Sequence, residues 1–554
     1  MRLENSAMPK IPIWVFILLA ILHISAVRVG IMDIDASQYA EISREMMESG
    51  SYLQLFDLGK DYLDKPPFLF WISATSMKLF GANNFGFKLP SILFALFALY
   101  ATYRLARLLY GEATGRMAAL VLGTCQGMFL MTNDIRTDTV LMSWVITAIW
   151  LIKEWDVHGK LHHLLLGCAA IAFGMMSKGP IALLVPIFCF TTDWALHREW
   201  SKMFRWQYLL GIVVIAVLLI PMSIGLYQQF DAHPEKVVNG LTGVSGLRFF
   251  YWSQSFGRIT GESPWNNGAG LDFLFSNMLW SFLPWILLFV AALILKCVQL
   301  VKSKFRLQQG QEWLTAGGFI LAYLALGSSR YQLPHYIFVV FPLAAIMVAA
   351  LMKDFFEGQH YQQLYRVFRP VQWGISFLLL IAALLTVVYV FPAGIVWTIL
   401  WVLALGVLLF IAFSKNIKSK MFWMSVTAMM LSNFFMTNHF YYNLMDYQLG
   451  NQMADYLKQE QIPAEEVIQY KMVDPLNSFH FYVQSVISAD YSAIETGKYV
   501  LTQDSGLVSL VEKGFAYDTV TTGKCFRVSE LKPAFLNPDT RQDAMQDYYL
   551  LRIK

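Results

Sequence analysis

The chain has 554 residues, of which 56% are hydrophobic, 15% aromatic and only 14% charged. A water-soluble domain carries about 25% charged residues, so the composition excludes a large soluble protein and fits a chain whose solvent is mostly lipid. The net charge of +4 decides little, because the placement of charges along the chain carries the information; no nucleic-acid partner is expected.

The first apolar run, residues 11–31, follows Arg2 and Lys10. It is longer than a signal-peptide core and no small-residue cleavage pattern follows, so it reads as a retained first helix. Crossing the hydrocarbon takes about 20 apolar residues. Further runs fall near 89–110, 117–132, 139–155, 164–177, 180–196, 207–228, 271–296, 313–328, 336–352, 371–391, 395–413 and 422–441, giving about thirteen expected transmembrane helices. Lys and Arg concentrate in alternate loops: Arg104, Arg107 and Arg116; Lys153 and Lys160; Arg198, Lys202 and Arg205; Lys296 to Arg306; Lys353 to Arg369; Lys415 to Lys420. These loops are predicted to be cytoplasmic, with the N-terminus inside and the C-terminus outside. On the opposite side Arg136, Lys178 and Arg330 sit at the edges of apolar runs. Such a cation is either a functional group or a snorkelling or helix-capping one.

Two outer loops are long, residues 32–88 and 229–270. The expected division is a transmembrane unit, 1–446, followed by a small α/β unit, 447–554, on the outer face. In that tail, Asn451 to Gln461 and Gly506 to Lys513 read as helices, and Val467 to Met472, Phe479 to Val483, Tyr499 to Thr502 and Tyr548 to Ile553 as strands. The five cysteines show no metal or disulfide spacing and read as apolar packing residues.

The first outer loop holds the most informative chemistry. In Met32–Gly50, Tyr39, Ala40, Ile42, Met46 and Met47 form an apolar stripe at helical spacing, with Glu41, Arg44, Glu45 and Glu48 on the other face. A helix this polar is expected to lie in the membrane interface and to end at Gly50. A second such segment, Phe68 to Phe80, follows Pro66–Pro67 and ends at Gly81. Asp35 opens the first helix and is either an N-cap, with Gln38 completing a capping box, or a working carboxylate. Asp138 repeats the pattern at the start of the fourth span. Two carboxylates and several cations at one membrane face favour an active-site constellation over independent caps.

At these residues the sequence resembles a known family. Asp35-Ala-Ser-Gln-Tyr39-Ala-Glu-Ile-Ser-Arg44-Glu-Met is similar to the first-loop signature of bacterial aminoarabinose transferases and related protein mannosyltransferases. Asp64-Lys65-Pro66-Pro67 with Trp71-Ile72, Leu79 to Gly86, Arg136-Thr137-Asp138, Ser177-Lys178-Gly179-Pro180, and Tyr331-Gln332-Leu333-Pro334-His335-Tyr336 resemble that family's further motifs, in order, from residue 32 to about 350. Gln38 and Lys88 depart from it, standing where arginine is found or common, so the resemblance defines reaction class more closely than substrate.

The resemblance implies a C-type glycosyltransferase fold with a cavity beneath interfacial helices. It implies a polyprenyl-phosphate sugar donor, lipid A or a Ser/Thr protein as acceptor, inversion at the anomeric carbon and a bacterial inner-membrane location. Asp35 becomes the catalytic carboxylate and Asp138 the second acidic residue. Lys65 and Tyr62 hold the donor phosphate, with Arg258, Lys178, Arg330 and Tyr331 further donor-side residues and Asp33, Tyr39, Arg44 and Asp64 in support. No cofactor is expected, although Asp33-Ile34-Asp35 matches an Asp-x-Asp metal pattern by letter. The rival classes are a transporter of lipid-linked substrates and a structural subunit presenting its tail; neither calls for charges gathered at one face, and no matched halves of a transporter repeat are visible.

Overall fold

The computed structural model describes residues 8–554 except 239, 261, 263, 264, 309, 358–360, 474 and 475, and of Arg258 and Ile259 it describes only the backbone. All thirteen apolar runs are helical, and six helices among the described residues are, by length and composition alone, long and apolar enough to cross a membrane. Chain order runs α1 (Ile13–Ile24), α2 (Asp35–Ser49), α3 (Phe68–Phe80), α4 (Asn84–Tyr110), α5 (Glu112–Gly123), α6 (Gln126–Asn133), α7 (Thr137–His158), α8 (Leu161–Lys178), α9 (Ile181–His197) and α10 (Gln207–Leu226). It continues with α11 (Asp272–Ser281), α12 (Ile286–Lys302), α13 (Leu314–Gly327), α14 (Phe341–Glu357), α15 (Gln362–Leu385), α16 (Ile395–Phe413) and α17 (Lys420–Phe435). Two runs that read as single spans are broken, one between α5 and α6, the other at Pro284 between α11 and α12, where proline removes a backbone donor.

Cations expected on the cytoplasmic side meet one another at one end of the bundle. Arg104 pairs with Glu154 at 3.0 Å, Asp156 gathers Lys153, Lys202 and Arg205 within 3.2–3.5 Å, and Lys296 pairs with Glu312 at 2.5 Å. Asp35, Lys65, Asp138 and Lys178 lie among a different set of helix ends, described below.

Both interfacial segments form as helices, α2 and α3. Gly50 ends α2 in the left-handed conformation at φ 69°, which only glycine adopts without strain. The outward polar face expected for α2 is found only in part: Glu48 is exposed and Glu45 half-buried, but Glu41 and Arg44 are not. Glu41 and Arg44 are buried against each other, the guanidinium holding the carboxylate through bonds of 2.8 and 2.5 Å, and Glu48 takes a third at 2.6 Å. The helix is covered on both sides, by α3 and by the tail, so its charges had to pair internally.

The tail packs as a four-stranded sheet, β1 (Val467–Tyr470), β2 (Tyr499–Gln503), β3 (Tyr517–Cys525) and β4 (Gln546–Ile553), in the order β1-β2-β4-β3. β1 and β2 are parallel, with Val467 opposite Tyr499; β4 runs antiparallel to β2 and β3. Its helices are α18 (Leu449–Gln459), α19 (Asn477–Val483) and α20 (Asp504–Glu512). Phe479 to Val483, expected as a strand, is the helix α19: Phe479 and Phe481 are both fully buried, because the segment is wedged between α2 and α18 and tertiary packing overrides its aromatic strand propensity. β3 was not foreseen; its Thr-rich sequence lacks apolar alternation, and its pairing with β4 supplies the order.

Candidate active site

Four helix ends converge at the mouth of the bundle. Asp35 lies in the first turn of α2, where Ile34 is the N-cap and no side chain caps the helix. The expected capping box does not form: Gln38 donates instead to Asp57 at 2.7 Å. The Asp35 carboxylate reaches out of its own helix to Arg136, with which it forms an ion pair. Arg136 immediately precedes α7 and also binds Asp134 at 2.7 Å. One guanidinium therefore bridges two carboxylates, a use its forked donors suit.

Two residues on, Asp138 sits in the first turn of α7, where the helix dipole favours an anion. It accepts from Lys178 Nζ at 2.5 Å, and His335 Nε2 lies 3.6 Å from its other oxygen. Lys178 comes from the last turn of α8, and its ammonium stands 3.9 Å from the centre of the Tyr336 ring, a cation–π contact. Lys65, on the loop that Pro66–Pro67 turn into α3, pairs with Asp64 at 2.6 Å; Gln254 donates to the Asp64 carbonyl and, at 3.3 Å, to its carboxylate.

Two cavities open on this cluster. The smaller, about 100 Å³, is lined by Lys65, Asp138, Lys178, Gln254 and Tyr336 together with apolar residues of α9 and α13. The larger, about 560 Å³, is walled by Asp35, Asp134, Arg136, His335 and Trp280, and on its far side by the tail segment Arg527 to Leu531. Asp138, His335 and Arg136 form the partition between them. Tyr39 is buried beneath, its ring edge-on to Phe70 at 5.8 Å. Burial, reinforced by Tyr62, Asp64 and Asp138, raises the Tyr39 phenol well above its ordinary range.

The structure thus brings together Asp35, Asp138, Lys65, Lys178, Asp64 and Tyr39. Tyr62 stands one layer back: its hydroxyl is buried with no hydrogen-bond partner among the described residues, beside a space of about 20 Å³ that Lys65 also lines. Four expected site residues fall elsewhere. The Asp33 carboxylate binds Ser37 and Ser478, so it does not share a site with Asp35. Arg44 is consumed by Glu41 and Glu48. Arg330 is exposed, with its carbonyl accepting from Asn267, and Tyr331 beside it lines neither cavity. The Arg258 side chain lies outside the described residues; its backbone follows directly on Gln254 to Phe256, which line the smaller cavity. His335, Tyr336, Asp134 and Gln254 were not singled out. His335, Tyr336 and Asp134 lie inside or beside motifs already recognised, whereas Gln254 carries no sequence signal.

The site is thus a mouth of a helical bundle, two helices lying over a cavity with carboxylates facing cations. The structure superimposes on ArnT from Cupriavidus metallidurans bound to undecaprenyl phosphate over 97% of both chains, with a TM-score of 0.72 at 16% identity; at that identity the likeness shows the fold. Residues 64–224 match the family model of dolichyl-phosphate-mannose-protein mannosyltransferases. The chain is 26% identical over 325 residues to an undecaprenyl phosphate-alpha-4-amino-4-deoxy-L-arabinose arabinosyl transferase of Edwardsiella ictaluri, covering 58% of this chain and 55% of that protein. It is 27% identical over 345 residues to one of Pseudomonas fluorescens, covering 59% and 56%. The chain therefore spans a little over half the length of these curated relatives. The likeness to aminoarabinose transferases implied by the motifs and the C-type bundle with a small C-terminal sheet are both found.

Proposed function

We propose that this protein is an inverting glycosyltransferase of a bacterial inner membrane, moving a sugar from a polyprenyl-phosphate donor to lipid A. The observation that carries this reading is the pair of cavities meeting at one partition, with Lys65 and Lys178 on one side and Asp35 and Arg136 on the other. A donor phosphate seated by Lys65 and Lys178 gains negative charge as the glycosidic bond breaks, and fixed ammonium groups stabilise that charge without reorganisation. Asp138, held by Lys178 and His335, orients the lysine and balances its charge before substrate arrives. The acceptor enters through the larger cavity and attacks the anomeric carbon from the face opposite the leaving phosphate, which inverts the centre in a single displacement.

Asp35 borders that larger cavity. For a lipid A phosphate, already anionic near neutral pH, Asp35 orients the nucleophile and stabilises the positive charge developing on the sugar. For a Ser/Thr hydroxyl it would take the proton, a contribution of roughly 10²–10⁴-fold. The names of the relatives specify an undecaprenyl-phosphate-linked aminoarabinose donor and leave the acceptor open. The cation-rich opposite end of the bundle supports a periplasmic active mouth, a cytoplasmic N-terminus and a periplasmic C-terminus; the scheme needs no cofactor. The test is to incubate purified protein with undecaprenyl-phosphate sugars and either lipid A or a Ser/Thr peptide, and to follow both by mass spectrometry. A lipid A species heavier by one sugar is expected. A glycopeptide instead reassigns the acceptor, and no transfer to either rejects the reading.

A further inference from the structure

The short segment that carries the chain from α1 into α2 is gripped by the tail. The Ile31 amide donates to the Tyr482 hydroxyl at 2.8 Å. The Gln448 side chain meets the same segment twice, donating to the Ile31 carbonyl at 2.9 Å and accepting from the Asp33 amide at 2.8 Å, as a neighbouring strand would. The Asp33 carboxylate accepts from the Ser478 hydroxyl at 2.6 Å, the Ser478 amide at 3.1 Å and the Ser37 hydroxyl at 2.5 Å. One carboxylate thus joins the first turn of the tail helix α19 to the first turn of α2. Gln448 and Ser478 are buried. The packing is close: a Cβ on Gly30 would stand 2.7 Å from Asn451 Nδ2, and within the tail one on Gly450 would stand 2.0 Å from Ser478 Oγ.

Asp35 follows two residues after Asp33. It begins a helix without a side-chain cap of its own, so the start of α2 is fixed from outside, by residues more than four hundred positions later. Simple attachment of the tail would need only its apolar contacts. A carboxylate placed two residues before the catalytic one, and a side-chain amide paired to the Ile31 carbonyl and the Asp33 amide just ahead of α2, do more: they set where α2 begins and hence where Asp35 points.

We propose that Asp33, Gln448 and Ser478 are positioning residues that aim Asp35, making the tail an integral part of the active site. The proposal rests on the glycosyl transfer proposed above and has a second readout independent of it. The test uses full-length Gln448→Ala, Ser478→Ala and Asp33→Asn, with kcat and KM for the undecaprenyl-phosphate sugar and amide hydrogen exchange over residues 30–38. The expected result is a fall in kcat of about tenfold or more, since misplacing a reacting group by about 1 Å can cost about 10²-fold. KM should stay within about twofold, and exchange should accelerate at 30–38 but not in α7. Gln448→Glu keeps the acceptor for the Asp33 amide and should lose less than Gln448→Ala, which covers the case that the alanine variant fails to fold. Wild-type kcat in Gln448→Ala, or a loss confined to KM, overturns the proposal, whatever the exchange shows. If the wild type transfers no sugar, the function reading fails, and exchange at 30–38 alone then decides the clamp: unchanged protection rejects it.

Discussion

Replacing Lys178 by methionine separates what the residue does for stability from what it does for the donor. Its ammonium is the close partner of Asp138, a carboxylate only 1% exposed, and is itself 14% exposed. Methionine preserves most of the volume and the contact with Tyr336 but leaves His335, at 3.6 Å, as the one basic side chain within 4 Å of Asp138 among the described residues. Removing one member of a buried ion pair costs about 3–5 kcal/mol, because the remaining charge stays buried and uncompensated. Lys178→Met should therefore lower the apparent melting temperature in detergent by several degrees and abolish binding of undecaprenyl phosphate. The double variant Lys178→Met/Asp138→Asn removes both charges, so its melting temperature should return most of the way to wild type while phosphate binding stays lost. Native tryptophan fluorescence reads the first quantity and titration with undecaprenyl phosphate the second. A Lys178→Met protein that melts with the wild type and binds the lipid phosphate undiminished would refute the reasoning.

Asp35→Asn should abolish transfer while leaving melting close to wild type, since Asp35 is 37% exposed and Arg136 keeps Asp134; near-normal turnover would remove Asp35 from the chemistry. The first loop also predicts a pH dependence. Burial raises Glu41 to about 7, against the opposing pull of Arg44, and Asp57 to about 6, against that of Gln38. Carboxylates raised on folding bind protons more tightly in the folded state, so their contribution is full at acid pH and is lost as pH rises through 6 and 7. The melting temperature should rise as pH falls from 8 towards 5, and Glu41→Gln should flatten that slope; an unaltered slope would exclude Glu41. Gly225→Ala should destabilise strongly, because the added Cβ would lie 2.1 Å from the Leu53 carbonyl oxygen, pushing the first outer loop off α10; a variant melting with the wild type would show that the loop can yield.

Much of the bundle was legible because lipid imposes long apolar runs, and each became helix. The breaks inside two of them were not: Thr124–Cys125 carries no stop signal, and Pro284 is not distinctive when Pro90, Pro186, Pro221 and Pro370 all lie inside continuous helices. The polar face of α2 misled because hydropathy cannot tell a face turned to water from one paired under a lid: Glu41 and Arg44 look solvated until the tail covers them. Phe479 to Val483 reads as a strand by composition, and only its wedge between α2 and α18 makes it helix. In the site, Asp35, Asp138 and Lys178 were legible as charges at the edges of apolar runs, and Lys65 through the motif resemblance. The pairings Asp35–Arg136 and Asp138–Lys178 were not, because partners so far apart in sequence leave no local spacing. Asp33 shows the limit most sharply: adjacent to Asp35 in pattern, it is turned to Ser478 by contacts from the far end of the chain.

The central claim is that cations from separate helices form a seat for a lipid-linked phosphate. Comparing the affinity of the purified protein for undecaprenyl phosphate and for undecaprenol, in the wild type and in Lys65→Ala, tests it most directly. The account predicts that the wild type binds the phosphate at least about tenfold more tightly than the alcohol and that Lys65→Ala loses most of that difference. Equal affinity for the two lipids, or a discrimination untouched by Lys65→Ala, would contradict it.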